Sequence, residues 1–318
     1  MKSFTCTNII KDTNNRVISY ELQDSTGKTL QVSYNKLKLM LESNKIAVVN
    51  LLLKNNEIME DPDYQIKSMI AKLKVFGKAH KSACGHDYYV IENHDTTIIY
   101  IPDDVEYLIK SDDDDDDDDG APGFCNIKCN TLKVIGGLGL TSTFNMFYEC
   151  KAKSLDLSSF DTSSVTDMDG MFYGCKVQSL DLSSFDTSSV TDMKYMFGGC
   201  KVQSLDLSSF DTSKVTNMEG MFWDCDAQSL DLSSFDTSKV ETMESMFYGC
   251  CAQSLDLSSF DTSNVSFMSC MFEDCKAQSI DLSSFDASNV EYLLNMFLGC
   301  KAEVKATDRK ILEELHNR

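Results

Sequence analysis

From Ser154 the chain reads SLDLSSFDTSSVTDMDGMFYGCKVQ, and the same frame restarts at Ser179, Ser204, Ser229, Ser254 and Ser279 without insertion or deletion. Self-similarity at a fixed 25-residue period marks a stacked architecture, because a unit this small cannot bury its own apolar faces and its neighbour must do so. A shortened copy, TLKVIGGLGLTSTFNMFYEC, precedes the six, with Leu132, Val134, Met146, Phe147 and Cys150 at the equivalent places.

Within one unit Leu155 and Leu157 alternate with Ser154, Asp156 and Ser158, the period-two pattern of a short strand with one buried face. Phe160 points inward. The FDTS segment that follows is rich in side chains that fold back on their own backbone, so it reads as a corner. Thr166 or Asp167 then predicts a cap for a short helical turn carrying Met168, Met171 and Phe172 on one face, ended by Gly174. If each strand pairs in parallel with its copy 25 residues on, like side chains recur about every 4.8 Å. Leu157, Leu182, Leu207, Leu232, Leu257 and Leu282 then form one core column, and Phe172, Phe197, Phe222, Phe247, Phe272 and Phe297 another. The expected fold class is α/β: a leucine-rich-repeat-like solenoid with one parallel strand and one short helical turn per coil.

The flanks divide the rest. Residues 1–110 read as a small α+β domain: an antiparallel meander around Asn14-Asn15 and Thr26-Gly27, helices at Tyr34 to Leu41 and Tyr64 to Phe76, and strands at Tyr88 to Glu92 and Thr96 to Ile101. Residues 111–123 hold eight consecutive aspartates, Asp112 to Asp119, which repel one another and predict an extended linker. Residues 124–153 read as the N-terminal cap and degenerate repeat, 154–303 as six solenoid repeats, and 304–318 as a capping helix with Thr307 or Asp308 as N-cap before Ile311, Leu312 and Leu315.

The formal net charge is -21, and its position matters more than its size. Residues 1–110 carry 14 acids and 14 bases, whereas 154–303 sum to -17. Such a field repels nucleic-acid phosphates and anionic lipid, and attracts a basic protein surface. The start MKSFTCTNIIKDTNNR lacks the apolar core of a secretory signal, and no stretch approaches the roughly 20 apolar residues of a membrane span, so the expectation is a cytoplasmic chain without membrane contact. Thirteen cysteines, an odd number lying mostly in one periodic column, fit a reducing compartment.

The repeat LDLSSFDTSxVTxMxxMFxGC resembles the leucine-rich repeat of the BspA-like bacterial family, over 154–303 and, in degenerate form, 130–153. Proteins of that family are commonly surface adhesins or interaction proteins, so the resemblance implies binding. The chain shows no secretion signal, lipobox or wall anchor, which departs from a surface location.

Chemistry-bearing clusters are few. The column Cys150, Cys175, Cys200, Cys225, Cys250, Cys275 and Cys300 reads as a buried ladder of small soft side chains rather than a metal or redox wire, since the thiols point the same way and no second ligand type lies beside them. His80, Cys84, His86 and His94 offer metal-ligand types, but at no recognised zinc spacing. No phosphate loop, G-x-S-x-G elbow or H-E-x-x-H occurs, so neither an enzyme nor a cofactor is expected. Two aspartate columns remain. The one at Asp161, Asp186, Asp211, Asp236, Asp261 and Asp286 is expected to cap turns, calcium between coils being the sharper alternative. The one at Asp156, Asp181, Asp206, Asp231, Asp256 and Asp281 is expected to form an outward acidic stripe. Where copies differ, aromatics enter: Tyr195, Trp223, Phe267 and Tyr292, side chains typical of binding hot spots. The leading expectation is a non-enzymatic scaffold that presents this acidic surface to a basic protein partner. Two alternatives stand beside it: an acidic nucleic-acid mimic that inhibits a nucleic-acid enzyme, and an N-terminal enzyme or metal domain targeted by the solenoid.

Overall fold

A computed structural model of the chain describes the backbone of residues 4–11, 17–24 and 29–33, and describes residues 78–92, 95–109, 123–125 and 127–316 with their side chains. The chain falls into two units, Met1–Gly77 and Lys78–Arg318. In the first, β1 (Phe4–Lys11), β2 (Val17–Asp24) and β3 (Thr29–Ser33) pair antiparallel in that order, the meander that the alternation predicts. The helices expected at Tyr34 to Leu41 and Tyr64 to Phe76 lie outside the described residues.

The second unit is a β-solenoid of about seven turns at 25-residue spacing. It opens on β4 (Lys78–Lys81), β5 (Asp87–Glu92) and β6 (Thr96–Ile101), an antiparallel set whose last strand pairs in parallel with β7 (Thr131–Gly136). In turn, β7 pairs in parallel with β8 (Ser154–Phe160). The sequence-drawn boundary at residue 110 therefore runs through one five-stranded sheet, β4-β5-β6-β7-β8. Residues on both sides of the aspartate run pair with each other, Ile101 with Gly136 in the sheet and Tyr107 with Ser142 in a separate bridge, so the described segments flanking the run belong to one unit. The run itself lies outside the described residues.

Further along, the strands shorten to β9 (Ser204–Leu205), β10 (Ser229–Leu230), β11 (Ser254–Asp256), β12 (Ser279–Leu282) and β13 (Glu303–Ala306). Register is kept: Leu205 meets Leu230, Asp256 meets Asp281, and Ile280 meets Val304.

The segment expected as a helical turn is not a helix. Its backbone alternates: the N–H groups of Met168, Gly170, Phe172 and Gly174 donate to carbonyls of the next coil, while those of Met171, Tyr173 and Cys175 close tight turns three residues back. Two positions per coil have positive φ, at Gly170 (60°) and Gly174 (62°), and every later coil repeats the pair. A left-handed residue every fourth position cannot belong to an α-helix, so the chain forms a ladder of stacked turns instead. This also explains Asp224 (φ 47°) and Asp274 (φ 53°) at the Gly174 place, because Asp is among the side chains that tolerate this conformation. The cross-coil bonds of this ladder run from 2.6 to 3.1 Å.

Packing follows the columns. The six leucines from Leu157 to Leu282 are buried, and the phenylalanine rings from Phe147 to Phe297 stack at 5.4–5.9 Å with planes within 10°. Each such ring withdrawn from water contributes about 1.5–3 kcal/mol. Phe124 covers the N-terminal end of that column, 5.9 Å from Phe147. At the other end α1 (Arg309–Leu315), capped by the Asp308 carboxylate on Ile311 N–H, buries Ile311.

Candidate functional site

The Asp156 column lies on the strand ladder, one residue from each inward leucine. Asp181, Asp206, Asp231 and Asp256 are exposed. Carboxylates stacked in register repel one another, and the local sequence answers this with a serine two residues on. Asp206 Oδ1 accepts from Ser208 N–H at 3.1 Å and from Ser208 Oγ at 2.6 Å, and Asp181, Asp231 and Asp256 do the same with Ser183, Ser233 and Ser258. These bonds to the charged form hold each carboxyl below its ordinary range, more than offsetting the neighbouring aspartates. The stripe is therefore ionised along its length.

Both ends of the stripe are closed by lysine. The two atypical coils carry Lys133 and Lys305 in the aspartate register, and their ammonium groups lie 2.6 Å from Asp156 and 2.9 Å from Asp281. Asp281 is held down to about 2 by Ser283 and Lys305. Four carboxylates thus face outward between two neutralised ends.

The Asp161 column caps turns, as its sequence predicts: Asp186, Asp211, Asp236, Asp261 and Asp286 each accept the N–H two residues on at 2.8–3.0 Å. Between these corners runs a ladder the sequence reading missed. Thr162, Thr187, Thr212, Thr237 and Thr262 are buried, and each hydroxyl donates to the carbonyl and accepts from the N–H of the aspartate in the next coil, as Thr212 does with Asp236 at 2.9 and 2.8 Å. The signal was present: the last copy has Ala287, where no further aspartate follows, and Lys310 and Asp308 of the cap take over its carbonyl and N–H.

The four candidate aromatics lie on the turn ladder, apart from the acidic stripe, and do different things. Trp223 is half-buried between Tyr173 at 6.0 Å and Tyr248 at 5.9 Å, and Tyr148 stacks on Tyr173 at 5.3 Å. Trp223 reaches Tyr173 across Gly198, where an added Cβ would stand 2.8 Å from the tyrosine ring. Tyr195 lies over Gly220, with Lys194 5.8 Å from its ring and 3.3 Å from Glu219; burial, together with Glu219, pushes its phenol up to about 12. Phe267 and Tyr292 form an exposed pair at 5.1 Å.

Beside this pair of ladders the Asp169 carboxyl is pushed up to about 7, first by burial and then by Asp192 and Asp167. In the β4–β5 turn, Cys84 Sγ lies 3.1 Å from Ser82 Oγ and 3.8 Å from His86 Nδ1, while His80 stacks on Tyr88. Partial burial raises the Cys84 thiol, but bonds from Ser82 and from the backbone at Tyr107, Glu106 and His86 outweigh it and bring it down to about 6. His94 lies outside the described residues, and among those described no three His, Cys, Asp or Glu side chains converge as a metal site. The seven column cysteines are buried; burial raises Cys225 and Cys275 to about 11. Among the described residues no helix is long and apolar enough to cross a membrane.

No curated protein and no solved structure matches the chain. One family model does, over residues 141–255 and 224–309, just over half of the sequence; its description is Mycoplasma protein of unknown function, DUF285.

Proposed function

We propose that this chain, which belongs to the DUF285 family, is a non-enzymatic binding scaffold whose Asp156-type stripe engages a basic surface of a protein partner. The observation that carries this reading is the open run of Asp181, Asp206, Asp231 and Asp256, each held ionised by serine and bounded by lysine at both ends. A row of like charges about 5 Å apart opposes folding unless screened or partnered, and such a field steers a cationic surface into contact. The likeness of the repeat to the BspA-like leucine-rich repeat supports binding as the role. The rigid β-solenoid holds the four carboxylates in a fixed line, so little ordering entropy is lost on docking.

The test is affinity capture from cell extract with the full chain and with the triple variant Asp206→Asn/Asp231→Asn/Asp256→Asn. The reading expects a captured protein whose retention drops at least tenfold in the triple variant and falls steeply with added salt. Capture of no protein that depends on residues 154–303 rejects it. Displacement of the captured partner by DNA or RNA would move the reading to nucleic-acid mimicry.

A further inference from the structure

The turn ladder has a direction. In every coil its alternate N–H groups point toward the next coil and its accepting carbonyls toward the previous one. Met268, Cys270, Phe272 and Asp274 donate to Tyr292, Leu294, Met296 and Leu298 at 2.8–3.0 Å. The same positions one coil later are Leu293, Asn295, Phe297 and Gly299, and among the described residues no group accepts from their N–H. Four donors in ladder register end in an open edge.

Large apolar side chains stand exposed along that edge, and at one place the last coil departs from all the others. Leu294 is 70% exposed where earlier coils carry Asp169, Lys194, Glu219, Glu244 and Ser269. Tyr292 is 55% exposed at the end of a column that runs Asp167, Asp192, Asn217, Thr242 and exposed Phe267, and Leu298 is exposed in a column that holds Tyr173, Gly198, Trp223, Tyr248 and Glu273. Exposed strand-like edges are normally blunted by charge or covered. The neighbouring strand edge follows that rule: β13 turns out Glu303 and Lys305, and α1 covers the corner, Lys310 binding the carbonyls of Ala287, Ser288 and Val290. The turn edge does the opposite, combining unprotected donors with apolar side chains.

We infer that the Tyr292–Gly299 edge is a docking seat for one extended backbone segment of a protein partner, whose carbonyls accept from Leu293, Asn295, Phe297 and Gly299 while its apolar side chains cover Tyr292, Leu294 and Leu298. The chemistry of the occupant follows from the ladder: the N–H groups of Leu293, Asn295, Phe297 and Gly299 are open, with the Glu291 carbonyl at their start also without a donor among the described residues, so the occupant must offer carbonyls at the spacing that each coil offers the one before it and can give one N–H to Glu291. This rests on the binding-scaffold reading but on a different surface, a backbone edge rather than the acidic stripe.

A labelled peptide copying residues 241–250, ETMESMFYGC, serves as probe, since in the intact stack its carbonyls at Thr242, Glu244, Met246 and Tyr248 accept this same ladder. The full chain is expected to bind it saturably, and Leu294→Lys/Leu298→Glu to bind at least tenfold more weakly. That variant carries residues found at the same places in other coils, Lys194 and Glu273, so the coil accepts them. In hydrogen exchange the amides of Leu293, Asn295, Phe297 and Gly299 should exchange far faster than those of Met268, Cys270, Phe272 and Asp274, and slow when peptide is added. Absence of saturable binding, or equal binding by the variant, overturns the seat. So does protection of those four amides in the free chain accompanied by a dimeric sedimentation coefficient, which would make a second copy the occupant. A captured partner lost from the triple aspartate variant but kept by Leu294→Lys/Leu298→Glu would overturn the seat and leave the acidic-stripe reading standing; the reverse would do the opposite.

Discussion

Replacing Thr212 by valine tests the buried threonine ladder directly. Valine keeps the shape and fills the same space, but removes a hydroxyl that donates to the Asp236 carbonyl at 2.9 Å and accepts from the Asp236 N–H at 2.8 Å. Thr212 is 1% exposed, so water has poor access to replace either bond. A buried polar group left without a partner costs roughly 1–3 kcal/mol, and two are orphaned here. The Asp236 side chain is exposed, which lets its backbone recover part of that, so a net loss of about 2–4 kcal/mol is expected. Thr212→Ser keeps both bonds and loses only a methyl, for about 1 kcal/mol. Equilibrium urea unfolding followed by circular dichroism reads the difference, with Thr216→Val as control, since Thr216 is only half-buried and its hydroxyl makes a single, longer bond of 3.3 Å to the Thr191 carbonyl. If valine costs less than serine, methyl packing and not the hydroxyl holds the coils together at this column, and the ladder argument fails.

Three further outcomes follow from the titrating groups. The folded values of Asp206, Asp231 and Asp256 lie below the ordinary carboxyl value of 3.8, so the stability their serine bonds give is complete above that pH and is lost as pH falls through the lower folded values. Asp169 has the opposite sign: its folded value near 7 means that its contribution fades as pH rises toward 7, so Asp169→Asn should gain more stability at pH 8 than at pH 5 in thermal melts. Under brief iodoacetamide treatment at pH 7, peptide mass spectrometry should find Cys84 alkylated first among the described cysteines, with Cys225 and Cys275 protected. Equal labelling of Cys225 would mean that the column opens to solvent.

The period, the core and the turn-capping aspartates were legible because a repeat multiplies weak signals. One Leu-x-Leu says little, but six at constant spacing place Leu157 to Leu282 and Phe172 to Phe297 inside with no tertiary information. The Asp–x–Ser pattern likewise predicts its own local bonds, which span only two residues. Three features resisted. The methionine and phenylalanine spacing of the turn fits a helix, yet the segment spends alternate N–H groups on the next coil, a choice made by a partner 24 residues away. The threonines look like solvent-facing turn residues until the next aspartate closes over them. The aspartate run looks like a boundary because its composition is unlike its surroundings, although strand pairing joins the segments on either side.

Sequence alone determined the repeat length, the inward columns and the acidity of the stripe, since each depends on residue type and local spacing. Tertiary structure alone decided which backbone groups cross between coils, which end of the turn ladder is left with donors, and that Lys133 and Lys305 land on the ends of the aspartate column. These depend on how one coil meets the next, and hydrogen bonds between residues 24 apart carry no mark in either residue by itself.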